Sequence, residues 1–145
     1  MGTVSNILRT KTNNKFSVTS YTSVYDALVL MYEKNVSALL VLEGDKLAGI
    51  FTERDYARKV ILRGKASKET LIAEIMTKKE DLITVSPDTS IDDCMRLMTN
   101  RFIRHLPVLV EDNLIGIISI GDVVKFIINE QKFIIENMEH YITGI

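Results

Sequence analysis

Two periods of hydrophobic spacing alternate along this chain, and their order occurs twice. Val24, Ala27, Leu28 and Met31 fall at i, i+3, i+4 and i+7, which is one face of a helix. Ile91, Cys94, Met95 and Met98 repeat that spacing. Behind each helix come the short β-rich runs "SALLVL" and "LPVLV". The polar breaks "EGD" and "EDN" then lead into "KLAGIF" and "NLIGII", so each copy predicts a hairpin. A further helix is predicted from Thr52 to a stop near Gly64, which suits the position after a helix end. Its twin starts near Ser119 and runs longer, through "VVKFIINEQKFIIENM". The polar stretch 64–81 reads as a linker holding one short helix, and "TVSNIL" reads as a lead-in helix.

The repeat is a duplication. A shift of 67 residues lays residues 16–60 on residues 83–127 without a gap. "TSVYDALVLM" meets "TSIDDCMRLM", and Thr22, Ser23, Asp26, Leu39, Gly49 and Asp55 all meet identical residues. Each copy reads as strand, helix, strand, strand, helix. One copy alone buries too little surface for comfortable stability, so the two are expected to pack face to face about a pseudo-twofold axis. Following chain order, residues 1–67 would form the first domain with its lead-in. Residues 68–145 would form the second, with the linker helix and the C-terminal helix.

Composition narrows the function classes. Hydrophobic residues make up 46% of the 145-residue chain, enough for a sizeable core. The net charge of -1 argues against a nucleic-acid partner, which usually meets a basic excess. Apolar runs are short and interrupted by charges, so no membrane span is predicted, and the first ten residues lack the apolar region of a signal peptide. One cysteine requires no oxidising compartment, which makes the cytoplasm the default location. Cys94, on an apolar helix face, reads as a buried thiol. The two histidines, His105 and His140, are too dispersed for a metal site. No Ser-His-Asp set, acid/base carboxylate pair or phosphate-binding glycine loop is visible, so no enzyme is expected.

The repeated phrase is "GIFTERD" at 49–55 and "GIISIGD" at 116–122. Its plain reading is a helix start, in which a Thr or Ser caps backbone N–H groups and an Asp three residues on reaches back. The same geometry suits a nucleotide. Free N–H groups favour phosphate, the Asp can accept both ribose hydroxyls, and Gly49 and Gly116 would let a ligand approach the strand closely.

With these motifs in tandem, and with "RHLPV" at 104–108, the chain resembles a CBS-domain pair, or Bateman module, over nearly all of residues 16–127. Within that family it is similar to stand-alone pairs of the CBSX type. The resemblance implies an α+β fold of two packed β-α-β-β-α repeats. It also implies a regulatory site for an adenosine-containing ligand: AMP, ADP, ATP, NAD or S-adenosylmethionine. No obligatory cofactor and no metal are implied. Asp55 and Asp122 match the family's ribose carboxylates, and Thr52 and Ser119 the hydroxyls near ribose or phosphate. Thr22 and Thr89 match the adenine-side threonine. Val36, Ser37 and Ala38, and Ile103, Arg104 and His105, match the strand start that flanks adenine and reaches phosphate, with Ile50 and Ile117 beside the motif. Each cleft would mix the copies, Thr22 and Val36 with Ser119 and Asp122, and Thr89 and Ile103 with Thr52 and Asp55.

Two departures make the clefts unequal: Leu40 stands where the other copy has Pro107, and Ser37-Ala38 replaces Arg104-His105. Arg104 is expected to read phosphate through its planar fork of donors. Alternation along the strand would send it and His105 to opposite faces, so that one of the pair meets the core. The family commonly stacks two pairs into a disc. Apolar residues on several helix sides (Tyr56, Val60 and Ile61; Val123, Val124 and Phe126 to Ile128) fit a homodimer that signals to an unidentified protein in trans. The alternative is an interaction module whose degenerate clefts bind no nucleotide.

Overall fold

The structure is a computed structural model that describes residues 2–11 and 16–144. Helix α1 (Val4–Thr10) leads into strand β1 (Ser17–Val18), helix α2 (Val24–Lys34), strands β2 (Ala38–Glu43) and β3 (Lys46–Thr52), and helix α3 (Glu53–Lys59). The linker carries α4 (Ile72–Ile75) and β4 (Thr77–Lys78). The second copy then supplies α5 (Ile91–Arg101), β5 (His105–Val110), β6 (Asn113–Ser119) and α6 (Ile120–Thr143). The fold is the mixed α+β tandem pair that the duplication implies.

Local chemistry repeats with the sequence. Ser23 and Ser90 cap α2 and α5, each accepting the backbone N–H of an aspartate in the first turn at 3.0 Å. Val24, Ala27 and Met31 on α2, and Ile91, Cys94 and Met98 on α5, are the buried faces. Both helices end on a left-handed residue, Asn35 (φ 53°) and Phe102 (φ 54°). Asparagine tolerates that geometry; phenylalanine is strained in it. The hairpins β2–β3 and β5–β6 share one register, Ala38 opposite Thr52 and His105 opposite Ser119, with a shift at the same place in both.

Three differences from the periodic pattern have physical causes. The helix expected from Thr52 to Gly64 breaks at Val60, which is buried in the core and leaves helical geometry (φ -117°, ψ -73°); a short 3₁₀ turn, Ile61–Arg63, then ends on left-handed Gly64. Strand β1 pairs parallel with β2, helped by Leu40 N–H donating to the Phe16 carbonyl at 3.2 Å. The second copy holds only the single bridge Val85–Val108 there, because Pro107 stands in Leu40's place and has no N–H to give. Finally, β4 adds to the free edge of β3, so the first sheet runs β1-β2-β3-β4, whereas β5 and β6 pair as a two-stranded sheet.

The cores cross chain order. Val4 and Ile7 of α1 are buried with Ile91, Cys94, Leu106, Ile118 and Val123 of the second copy. Ile72 and Ile75 of α4 are buried with Val24, Leu39, Phe51 and Val60 of the first. Each copy is thus closed by the helix that precedes the other. A third cluster joins the two sheets: Leu40, Leu47 and Ile50 meet Leu82, Leu109, Leu114 and Ile117. Each such aliphatic side chain removed from water contributes roughly 1.5–3 kcal/mol. Val60 and Val123, expected among the apolar residues left for a dimer, are fully buried within the chain, while Ile61, Val124 and Ile128 remain exposed.

Candidate functional site

Two clefts flank the cluster between the sheets. Leu40 and Ile117 face the first, of about 320 Å³, and Ile50 and Leu82 face the second, of about 390 Å³. Both fall in the size range of small-molecule sites. Ser37 and His105 belong to the walls of both, and Ser37 Oγ lies 3.4 Å from His105 Nε2 across the partition.

The first cleft joins Val36, Ser37 and Ala38 of one copy to Ile117 and Ser119 of the other, with Lys11 and Lys34 in its wall. The second joins Ile103, Arg104 and His105 to Ile50, Thr52 and Asp55, with Glu53, Arg54 and Asp81 added. The strand start of one copy therefore meets the helix start of the other, twice. Asp122 stands behind the first cleft and reaches it through Lys11. Thr22 and Thr89 are not brought into either wall. Their hydroxyls accept the backbone N–H of Thr19 at 3.2 Å and of Ser86 at 3.1 Å, which shapes the turns before α2 and α5.

Both helix starts are complete capping boxes. Thr52 Oγ1 accepts Asp55 N–H at 3.1 Å and Asp55 Oδ2 accepts Thr52 N–H at 3.0 Å; Ser119 and Asp122 repeat this at 3.1 and 2.8 Å. The two carboxylates then diverge. Asp55 is buried, and its oxygens also accept the hydroxyls of Thr52 and Thr77, both at 3.1 Å, and face Lys59 Nζ at 3.0 Å. Those four contacts use about all the lone-pair sites a carboxylate has. Asp122 is about a quarter exposed and meets Ser119 N–H and Lys11 Nζ, both at 2.8 Å and both through Oδ2. Burial alone would raise the Asp122 carboxyl, but the bonds from Lys11 and Ser119 hold it below the usual range.

Of the two basic residues at the β5 start, His105 is the one that turns inward. Burial, then the nearby Lys11, lowers its basicity against a smaller opposing pull from Asp122, so the ring stays neutral more readily than a free histidine. Arg104 is exposed and makes no ion pair or side-chain hydrogen bond among the described residues. Its guanidinium is available to an anion in the second cleft. Arg54 enters that wall as well and donates to the carbonyl of Phe102. Thr77 and Lys11 had no signal in the repeat, because both lie outside its gapless segment.

Gly49 and Gly116 face chain, not ligand space. A Cβ on Gly49 would collide with the Thr77 carbonyl oxygen, and one on Gly116 would come within 3.0 Å of Leu8 Cδ2. Cys94 is fully buried, and burial, followed by the neighbouring Asp93, raises its thiol above the ordinary value. No group of His, Cys, Asp and Glu arranged for a metal occurs among the described residues, and none of their helices is long and apolar enough to cross a membrane.

A family model for the CBS domain matches residues 4–62 and again residues 72–129. The chain belongs to the CBS-domain family. This CBS pair is 46% identical over 125 residues to the CBS domain-containing protein CBSX3, mitochondrial, of Arabidopsis thaliana. The match covers 84% of the chain and 61% of that relative, so the chain spans less than two thirds of its length. A CBS-domain protein from Burkholderia ambifaria MC40-6 has the same pair architecture, with 52% identity, a TM-score of 0.84, and coverage of 89% of this chain and 96% of that one. The crystal structure of CBSX2 in complex with AMP is similar at 28% identity and a TM-score of 0.72, covering 90% of this chain and 99% of that one.

Proposed function

We propose that this CBS pair is a regulatory module that binds an adenosine nucleotide and signals its presence to a partner protein in trans. The observation that carries the reading is the double meeting of one copy's strand start with the other copy's capped helix start, each around a cleft of ligand size. That CBSX2 holds AMP supports adenosine as the ligand class. AMP, ADP and ATP are the first candidates, with NAD and S-adenosylmethionine behind them. The reading assigns ribose to Asp122 and Asp55, with Ser119 and Thr52 beside them, and phosphate to Arg104; at Asp55 a ribose hydroxyl must replace one of that carboxylate's four internal contacts. Adenine goes to the apolar ends made by Val36 with Ile117 and by Ile103 with Ile50. Thr22 and Thr89 fit the adenine side only if each hydroxyl leaves its turn bond. No catalytic step is assigned. A cytoplasmic setting remains the proposal, supported by a single buried thiol.

The working unit is proposed to be a homodimer. Along α6, Val124, Ile128, Ile135, Met138 and Ile142 are all exposed, and with Gln131 they fall on alternating four- and three-residue steps, the seam of a two-stranded coil. Isoleucine holds each position of one seam register, which suits a second copy of the same helix.

Thermal melts of the purified chain with millimolar AMP, ADP, ATP, NAD and S-adenosylmethionine test the ligand class. At least one should raise the midpoint, because a ligand bound to the native state alone adds about 2.7 kcal/mol at a hundredfold excess over Kd. Melts that none of the five displaces would favour the interaction module with degenerate clefts.

A further inference from the structure

Lys11, in the wall of the first cleft, is left without a role by the nucleotide reading. It ends α1, which is anchored in the second core by Val4 and Ile7, so its position in the first cleft is fixed by packing. Its ammonium lies 2.7 Å from the Ile117 carbonyl oxygen and 2.8 Å from Asp122 Oδ2. It therefore holds one of the two oxygens, Oδ2, that a ribose diol would span. Among the described residues the wall of this cleft contains Lys11 and Lys34 and no carboxylate, whereas that of the second contains Glu53, Asp55 and Asp81 against Arg54 and Arg104.

A ribose diol that spans both oxygens of Asp122 must displace the ammonium from Oδ2, whose lone pairs Ser119 N–H and Lys11 already take, whereas Oδ1 is open among the described residues. The displaced group keeps the Ile117 carbonyl but loses its counter-charge in a half-buried place, which is costly unless another anion arrives. A phosphate on the same ligand supplies that anion; an unphosphorylated nucleoside does not. We infer that Lys11 makes the Ser119–Asp122 cleft selective for phosphorylated over unphosphorylated adenosine, by opposing ribose at Asp122 and yielding only to a ligand that brings a phosphate. The inference rests on the nucleotide reading above and adds the ligand's charge to it.

Methyl NMR titrations of the full chain with adenosine and with ATP test it cleft by cleft. Signals of Leu40 and Ile117 report the first cleft, and those of Ile50 and Leu82 the second. In Lys11→Met, adenosine should bind the first cleft roughly tenfold more tightly and ATP roughly tenfold more weakly, in line with one charge-assisted bond lost or relieved. The ATP-to-adenosine preference there should fall on the order of 100-fold, with the second cleft unchanged. Lys11→Gln, which keeps a donor for Ile117 and drops the charge, should behave like Lys11→Met. A preference unchanged in Lys11→Met, or kept by Lys11→Gln, overturns the inference while leaving nucleotide binding standing. Cleft signals that neither ligand moves in the unmodified chain overturn both.

Discussion

Gly49 and Gly116 hold equivalent places in the repeat and meet unlike neighbours. Strand β4 crosses Gly49, and the atom that a new Cβ would strike is backbone, which cannot swing away. Gly116 faces the end of the Leu8 side chain, which can. Gly49→Ala should therefore cost about 1–3 kcal/mol, as overpacking does, and Gly116→Ala clearly less. Urea denaturation of both variants checks this, and equal losses would show that β4 is not held against β3. The aspartates diverge in the same manner. "T-x-x-D" and "S-x-x-D" were legible as capping boxes, and both form. That Asp55 is saturated while Asp122 is half open was not legible, because Thr77, Lys59 and Lys11 decide it and two of those three lie outside the repeat. Asp55→Ala would remove a cap and leave Lys59 and the Thr77 hydroxyl without their carboxylate partner, so Asp122 is the better position at which to separate binding from folding.

At the scale of elements, patterning was most informative where one face is buried and a cap is local. The faces of α2 and α5 and both hairpins follow from spacing and turn residues. The break of α3 does not, because Val60 is drawn into a core formed by α4, whose docking no local pattern reveals. The unequal first strands turn on one proline that lacks an N–H. Helix α6 was expected to be long, and its 24 residues would span about 36 Å. From residue 131 onward every described residue is exposed, although Phe133, Ile134, Ile135, Met138, Tyr141 and Ile142 are apolar. Such a stripe is expected to be covered by its twin in a second chain. Ile135→Lys, at a central position of the stripe and far from both clefts, should shift light scattering from a dimer mass to a monomer mass at micromolar concentration. The melting behaviour of each chain's own core should be retained. A monomer mass for the unmodified chain would contradict the dimer.

The whole molecule is more interlocked than its sequence order suggests. Because α1 closes the second copy and α4 the first, a cut at 67/68 would part each core from its closing helix, and the clefts on either side of the sheet cluster are lined by both halves together. Duplication made the pair legible; the exchange of closing helices was not, since Val4, Ile7, Ile72 and Ile75 carry no mark of which core receives them. The same interlock brings Arg104 into one wall with Thr52 and Asp55 and leaves it without an ion pair among the described residues. A calorimetric titration of AMP into the ligand-free chain, and into Arg104→Ala, tests the account most directly. It should show saturable binding to the unmodified chain. Binding to the second cleft of Arg104→Ala should be roughly 10- to 150-fold weaker, the worth of a charged hydrogen bond, while adenosine loses little. No saturable binding of AMP, or equal losses for AMP and adenosine, would contradict it.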